Sequence, residues 1–382
     1  MIEDYRGFEL GPIRPPSEAQ SLMLRITRNC PWNKCKFCGL YKGEKFSIRP
    51  VEHVIRDIDT IRYYVDEIQA IRKQPGGGRQ PDIFALLAGR TESEQVALHS
   101  ALNWIRGGMK SVFLQDGNSL VIKPDDLVAI LDHVRQRFPR VERITSYARA
   151  HSVARISPGD LVRISAAGLN RIHIGMESAA DEVLTFIKKG VDKQTQILAG
   201  RNVKAAGIEL SEYFMPGLGG ARFSRANALE TADAINQINP DFIRIRTLAI
   251  PGNVELSDDV RSGDFTPIGD LRMAEELLLF LDNLHDITST VKSDHILNLL
   301  QEVEGRLPDD RERLTAPIRT LLGMEPAEQL LYMVGRRTGI FSSLQDLRDP
   351  ELLAHAEKAR AAYRVSLKNV EDFSAGMMRR FV

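Results

Sequence analysis

Cysteine is nearly absent from this chain. The 382 residues contain three, Cys30, Cys35 and Cys38, all inside nine consecutive positions. An odd number of thiols this close together cannot build a disulfide framework. An excess of one charge is also missing, since 51 Lys+Arg balance 51 Asp+Glu. Without a basic excess there is no global pull toward nucleic acid or an anionic membrane, so nucleic acid is not an expected partner. No apolar run approaches a membrane span; the richest, Leu277 to Leu281, lies between Glu276 and Asp282. The first residues, Met-Ile-Glu-Asp, lack the basic and then apolar regions of a secretory leader. These absences predict a cytoplasmic protein with no membrane contact. The remaining composition, 43% apolar and 27% charged, is that of a globular chain, long enough for a barrel with an appended piece or for two domains.

The cysteines are spaced Cys-x4-Cys-x2-Cys within Asn29-Cys-Pro-Trp-Asn-Lys-Cys-Lys-Phe-Cys-Gly39. In a reducing compartment clustered thiols bind metal or do redox chemistry. A structural zinc wants four ligands, usually two from each of two knuckles, and here there is one Cys-x2-Cys and no second pair. A [4Fe–4S] cluster normally takes four cysteines. With three, one iron is left open, which is what a catalytic metal centre needs. Lys34 and Lys36 are expected to offset the negative charge of thiolates and cluster. A zinc or buried-thiol loop is the plainer alternative.

Periodicity predicts the scaffold. Residues 22–26 read as a strand running straight into the cysteine loop, and 50–72 and 92–106 read as helices. Gln74 to Gln80 is a Gly-rich break. A regular alternation follows, with strands at 111–115, 141–146, 171–175, 208–214 and 241–247. Between them come helices at 124–137, 157–167, 180–188, 193–206 and 222–238. With the first strand this makes six βα steps, hence a parallel sheet with catalytic groups at the C-terminal strand ends. From about residue 253 the chain reads as helices, at 269–284, 294–304, 308–322, 325–337 and 350–363. The expected fold class is α/β: a partial (β/α)6 TIM-like barrel over 21–252, after an N-terminal segment 1–20, with a helical C-terminal domain over 253–382.

A strand, a three-cysteine loop and five further βα units with particular strand-end residues resemble the radical S-adenosylmethionine (SAM) superfamily over about residues 20–250. The family's usual spacing is Cys-x3-Cys-x2-Cys, one residue shorter than here, and an aromatic residue before the last cysteine, here Phe37, is typical. The resemblance implies that Cys30, Cys35 and Cys38 hold one [4Fe–4S] cluster whose open iron binds SAM through its amino nitrogen and carboxylate. Reductive cleavage would then give methionine and a 5′-deoxyadenosyl radical that abstracts hydrogen from a substrate not identified by the sequence. It also implies an electron donor such as flavodoxin or ferredoxin.

The same resemblance nominates SAM contacts position by position. Asp116, Gly117 and Asn118, after the second strand of the alternation, correspond to the turn that approaches the methionine amine. Gly117 is the only glycine retained there, and an ordinary Asp-Gly turn is the alternative. Ser146, Tyr147 and Arg149 end the next strand, where Arg149 would pair with the SAM carboxylate. Glu177, in Gly175-Met-Glu-Ser178, would accept from ribose hydroxyls or the amine, or else simply start a helix. Lys188 or Lys189 would reach the carboxylate, with Lys189 preferred. Glu209 and Glu212 alternate faces, so one points inward, and Glu212, nearer the strand end, is that residue. Met215 to Gly220 resembles the family's glycine-rich turn, and Leu248 to Gly252 the segment near adenine.

Outside that set, Arg244 and Arg246 share a strand face and would bind an anionic substrate or SAM if it is inward. Asp294 is expected to cap a helix, with His295 in the capping turn. Arg336 and Arg337 read as helix-end cations ahead of a Gly339 stop. The cysteine count argues against a second cluster and against catalytic cysteine pairs, and about twenty N-terminal residues leave no room for a cobalamin domain. Within the superfamily the likeness is to the branch of oxygen-independent coproporphyrinogen oxidase and the Elongator catalytic subunit. Two alternatives stand beside it: a non-catalytic Fe–S or zinc redox sensor or scaffold, and an RNA-modifying member of the same superfamily.

Overall fold

The computed structural model describes residues 4–73 and 86–381. The Gly-rich break at Gln74 to Gln80 lies outside the described residues. The chain divides into two compact units. The first comprises Met1–Pro31, Leu40–Ile174 and Asn202–Glu209; the second comprises Trp32–Gly39, Gly175–Arg201 and Leu210–Val382.

The first unit is built on parallel strands β1 (Leu22–Arg25), β4 (Ser111–Gln115), β5 (Arg143–Ala148) and the start of β6 (Arg171–Glu177). β1 pairs with β4 in the register Leu24↔Leu114, β4 with β5 through Phe113↔Thr145, and β5 with β6 through Tyr147↔His173. All five residues of β4 are buried. Burial on both faces is what a helix-covered parallel sheet requires, and it explains the unbroken apolar reading of Val112, Phe113 and Leu114. Helix Val51–Lys73 buries Val54, Ile58, Ile61, Val65 and Ile68, an i, i+3/i+4 stripe, and finishes on Arg72 and Lys73, favoured at a helix C-terminus. Helix Glu92–Arg106 starts in a Thr91/Glu94 capping box. Two short strands, β2 (Thr27–Arg28) and β3 (Ser47–Ile48), form an antiparallel ribbon that brackets residues 29–46 in the chain.

In the second unit β7 (Glu209–Phe214) pairs in parallel with β8 (Phe242–Ile245), and β8 with β9 (Thr290–Lys292). β9 pairs antiparallel with β10 (Gly305–Arg306). Helix Gly220–Ile238 links β7 to β8 and stops on Asn239 in the left-handed region at φ 50°. The fold class is therefore α/β, with mostly parallel sheet and surrounding helices.

The segment expected to be purely helical departs from that reading. β9 and β10 carry sheet structure beyond residue 252, and no helix forms at 294–304. Instead, residues 293–301 form turns pinned by side chains. Asn298 donates to the Ile245 carbonyl and Ser293 Oγ and accepts from the Thr247 amide. The Arg336 and Arg337 guanidiniums take the carbonyls of Leu297, Asn298 and Leu299. Leu297 and Leu300 gave a helical spacing because both are buried, but these bonds make turns the better use of the backbone. Arg336 and Arg337 do close helix Pro326–Arg337 ahead of Gly339, as expected, and Arg337 also pairs with buried Asp270. Among the described residues, no helix is long and apolar enough to cross a membrane.

Candidate functional site

Cys30 belongs to the first unit, and its surroundings there form a polar floor. Asp116, fully buried after β4, accepts from Arg25 Nε at 2.9 Å and from the Asn29 backbone N–H at 3.2 Å. Asn29, immediately before Cys30, sits at φ 68° and anchors its side chain on the Lys45 carbonyl. Arg25, Arg28 and Arg49 also converge on Glu9, at 3.2, 2.7 and 2.8 Å. Gly117 has its Cα where an added Cβ would stand 3.2 Å from the Tyr41 ring and 3.8 Å from Cys30 Cβ, so glycine keeps this approach open. Burial, and then the Asp116 carboxylate, push the Tyr41 hydroxyl pKa up, so the phenol stays protonated.

The structure assigns protein partners to several expected SAM contacts. The Asn118 amide is spent within the protein, donating to Ser152 Oγ at 2.7 Å and accepting from the Arg149 backbone N–H at 3.2 Å. It therefore shapes the end of β5. Tyr147 stacks edge-on against Phe113, with ring centroids 5.2 Å apart. Asp116 keeps one oxygen, Oδ1, without a hydrogen-bond partner. Sequence reasoning missed the buried Glu18 beside His173. Burial raises its pKa, but His173, Ser21 and Arg143 outweigh burial and hold it below the ordinary value.

Cys35 and Cys38 belong to the second unit, where the Cys38 N–H donates to the Cys35 carbonyl in a tight turn. Trp32 anchors this segment, with Nε1 donating to the Lys188 carbonyl at 2.7 Å. Gly190, at φ 69°, leaves room for the Trp32 ring, which any Cβ there would strike. Phe37 packs beside the core of Ala180, Val183, Ile187 and Leu218, and Lys189 Nζ lies 5.8 Å from its ring centroid. Lys36 does not serve as a counter-charge for thiolates, because its ammonium is held by Asp259 at 2.9 Å, fastening the loop to helix Glu255–Ser262. Lys34 lies over the Trp32 ring.

The strand ends of this unit bring together three of the nominated residues. Glu177, at φ 65°, is a non-glycine residue in the left-handed region at the end of β6, a backbone state that costs roughly 1–2 kcal/mol. Its Oε1 lies 3.6 Å from Lys189 Nζ. Glu212 on β7 is 1% exposed, and neither carboxyl oxygen has a hydrogen-bond partner of normal geometry. Burial drives its pKa well above the carboxylate range, Lys189 works against that, and Glu177 adds to it. A buried carboxyl with both oxygens unbonded calls for a ligand donor or a retained proton. Glu209, by contrast, is exposed at the start of β7 and pairs with Arg171. Asp294 caps no helix; it lies between Arg244 and Arg246.

Glu276 carried no functional reading in the sequence, yet it organises the glycine-rich turn. It accepts from the Gly217 N–H at 3.1 Å, from Asn227 Nδ2 at 2.6 Å and from the Ser224 hydroxyl. Its place on the stripe Met273–Leu277–Phe280, the buried face of helix Asp270–Asp282, was the available signal. Burial outweighs these bonds and raises its pKa to about 7. A raised carboxyl binds its proton more tightly folded than unfolded. Its contribution is therefore complete below pH 4.5 and lost as pH rises through about 7, a difference of roughly 3 kcal/mol. Denaturant unfolding at pH 6 and pH 8 is expected to show a larger fall in stability for the native protein than for Glu276→Gln. Equal falls would contradict this assignment.

A cavity of about 600 Å³ adjoins that turn, lined by Gly217, Leu248, Ile250, Met273, Ser374 and Met378 among others. Ser374 Oγ, from the C-terminal helix Val370–Met378, is buried there without a partner.

Among the described residues, no group of three His, Cys, Asp or Glu is assembled to hold a metal ion. The donor chemistry nonetheless fits an iron–sulfur cluster. All three cysteines are partly exposed, none is sealed in the core, and Gly117 leaves the space beside Cys30 open.

No protein-family model matches the chain. A curated relative, the tRNA uridine(34) acetyltransferase of Methanocaldococcus infernus, is 26% identical over 101 residues, which is 26% of this chain and 19% of that protein. The chain thus spans under a fifth of that relative's length. Among solved structures it is similar to Elp3 of the same archaeon, at TM-score 0.40 and 16% identity over 52% of this chain and 53% of that one. It is also similar to coproporphyrinogen III oxidase HemN of Escherichia coli, described as a radical SAM enzyme. There the TM-score is 0.45 at 15% identity over 69% and 52% of the two chains. A third is the cobalamin-dependent SAM radical enzyme OxsB, at TM-score 0.47 and 15% identity over 94% and 54%. The curated relative is named for a tRNA, so the expectation against nucleic acid has no support here.

Proposed function

We propose that this chain is a radical SAM enzyme, with Cys30, Cys35 and Cys38 as ligands of one [4Fe–4S] cluster in a partial (β/α)6 barrel over residues 21–252. The observation that carries the reading is the isolated trio of partly exposed cysteines in the segment after β1, accompanied by a prepared set of strand-end polar groups. When bound, the cluster supplies an electron to the SAM sulfonium, so that SAM is cleaved and the resulting radical takes hydrogen from a substrate. The protein's own residues do the positioning. Asp116 and Arg25 fix the backbone entering Cys30. Trp32 and Lys36 fix the segment carrying Cys35 and Cys38. Phe37 anchors the residue before the last cysteine on the apolar core. Glu177 and Glu212 offer hydrogen-bonding oxygens to the amine and ribose of SAM, and Lys189 offers a cation to its carboxylate. Gly117 leaves space for close approach of the methionine end, while Tyr147, Arg149 and Asn118 shape the neighbouring strand end. A flavodoxin or ferredoxin supplies the electrons.

The test is direct. Anaerobically reconstituted, dithionite-reduced protein is expected to convert SAM to 5′-deoxyadenosine in proportion to bound iron. Iron-loaded, reduced protein that leaves SAM intact contradicts the proposal.

A second reading, an RNA-modifying radical SAM enzyme, is favoured by the match to a protein named for a tRNA uridine. Salt-dependent binding of tRNA supports it, and binding absent even at low salt removes it.

A further inference from the structure

Residues 4–13 precede the βα alternation and carried no function in the sequence, yet they pack onto the backbone that leads into Cys30. Gln115, the last residue of β4 and the register partner of Arg25 on β1, fastens this segment. Its side-chain amide accepts from the Gly11 N–H at 2.9 Å and donates to the Gly11 and Ile13 carbonyls. A Cβ on Gly11 would stand 2.0 Å from Asp116 Oδ1, so glycine is what lets the segment lie against that carboxylate. Tyr5 is a second anchor, its hydroxyl donating to Asp57 Oδ1 at 2.8 Å.

Between those anchors Glu9 meets β1 and β2. Arg28 grips it as a fork, with Nε 2.9 Å from Oε2 and Nη2 2.7 Å from Oε1. Arg25 Nη1 reaches Oε2 at 3.2 Å, and Arg49 Nε lies 2.8 Å from Oε1. Burial pushes the Glu9 pKa up, but Arg28, Arg49 and Arg25 outweigh burial and hold the carboxyl below its ordinary value. Two of these arginines bear on Cys30. Arg28 stands two residues before it in the chain. Arg25 holds Asp116, which accepts from the Asn29 N–H. One carboxylate therefore ties the backbone entering the cysteine from two directions, along the chain through Arg28 and across the sheet through Arg25 and Asp116.

We infer that Glu9 is a positioning residue for Cys30, locking Arg28 and Arg25 so that residues 28–30 hold the cysteine in place before any metal arrives. The N-terminal segment is then a working part of the cysteine site. The inference rests on the proposed function for the cluster itself, but the preformed backbone is measurable without one.

Amide hydrogen exchange in the metal-free, full-length protein tests it with neither cluster nor SAM. Glu9→Gln is expected to speed exchange at the Asn29 N–H about tenfold, while the Phe113 and Leu114 amides of β4 keep their native protection. Glu67→Gln removes another carboxylate from a guanidinium in the same unit, that of Arg90, and is expected to leave Asn29 unchanged. Glu9→Asp keeps the charge and is expected to recover part of the protection. After reconstitution with iron and sulfide, Glu9→Gln is expected to lose iron to a chelator several times faster than the native protein. Unchanged exchange at Asn29, an equal rise at Asn29 and on β4, or native-like iron retention overturns the inference. If Glu9→Gln does not fold, Glu9→Asp decides, and native-like exchange there overturns it. A native protein that takes up no cluster contradicts the proposed function instead, and the exchange result still decides whether Glu9 holds this backbone.

Discussion

Cys35→Ala is expected to abolish both the broad visible absorption of the iron–sulfur cluster and the formation of 5′-deoxyadenosine, while leaving the fold intact. The reason for total loss is the small donor set. With three thiolates there is no spare ligand, and the rest of the chain contains no cysteine to replace one. The reason for an intact fold is that Cys35 is half-buried and its segment is fastened by other residues, Trp32 on the Lys188 carbonyl and Lys36 on Asp259. Circular dichroism and denaturant unfolding of the metal-free proteins check the second half. A variant that unfolds, or one that retains full cluster content and cleavage, contradicts the ligand assignment.

Asp116→Ala is expected to destabilise the protein by about 3–5 kcal/mol, the usual result of removing one partner from a buried ion pair. Asp116 is fully buried, and the side chain of its partner Arg25 is 14% exposed. The substitution leaves the guanidinium without this carboxylate and the Asn29 N–H without its acceptor. Because Asn29 precedes Cys30, cluster content is expected to fall together with stability. Asp116→Asn keeps an acceptor and is expected to lose less. Guanidinium unfolding midpoints measure the first effect and iron per chain the second. A loss below 1 kcal/mol would show that Arg25 is satisfied by Glu9 alone.

Much of the scaffold was legible because its period is strong. The strands at 111–115 and 209–214 and the helices at 92–106 and 124–137 each hold enough residues for a strand-length apolar run or a 3.6-residue stripe to register. The ribbon of β2 and β3 was not legible, since two-residue strands have no period. β9 and β10, at three and two residues, are also too short to show one. The 294–304 helix failed because distant clamps, Arg336 and Arg337, take the carbonyls of Leu297, Asn298 and Leu299, which a local pattern cannot show.

The candidate site follows the same division. The three cysteines stand out through their isolation; Glu212 is buried as expected, but so are Leu210, Ser211, Tyr213 and Phe214 on both faces, and Glu209 is exposed because it opens the strand. The fate of the lysines and arginines does not follow. Lys36 meets Asp259 across 223 positions of sequence, and Arg244 meets Asp294 across 50. A charge reads as solvated or site-lining until its partner is known, and such partners are set by the tertiary fold alone.

Electron paramagnetic resonance of the reduced, reconstituted protein with and without SAM tests the central claim most directly. A cluster with one iron open to ligand predicts a [4Fe–4S] signal whose g-values shift when SAM is added. A signal indifferent to SAM, or a protein that takes up only zinc, contradicts it.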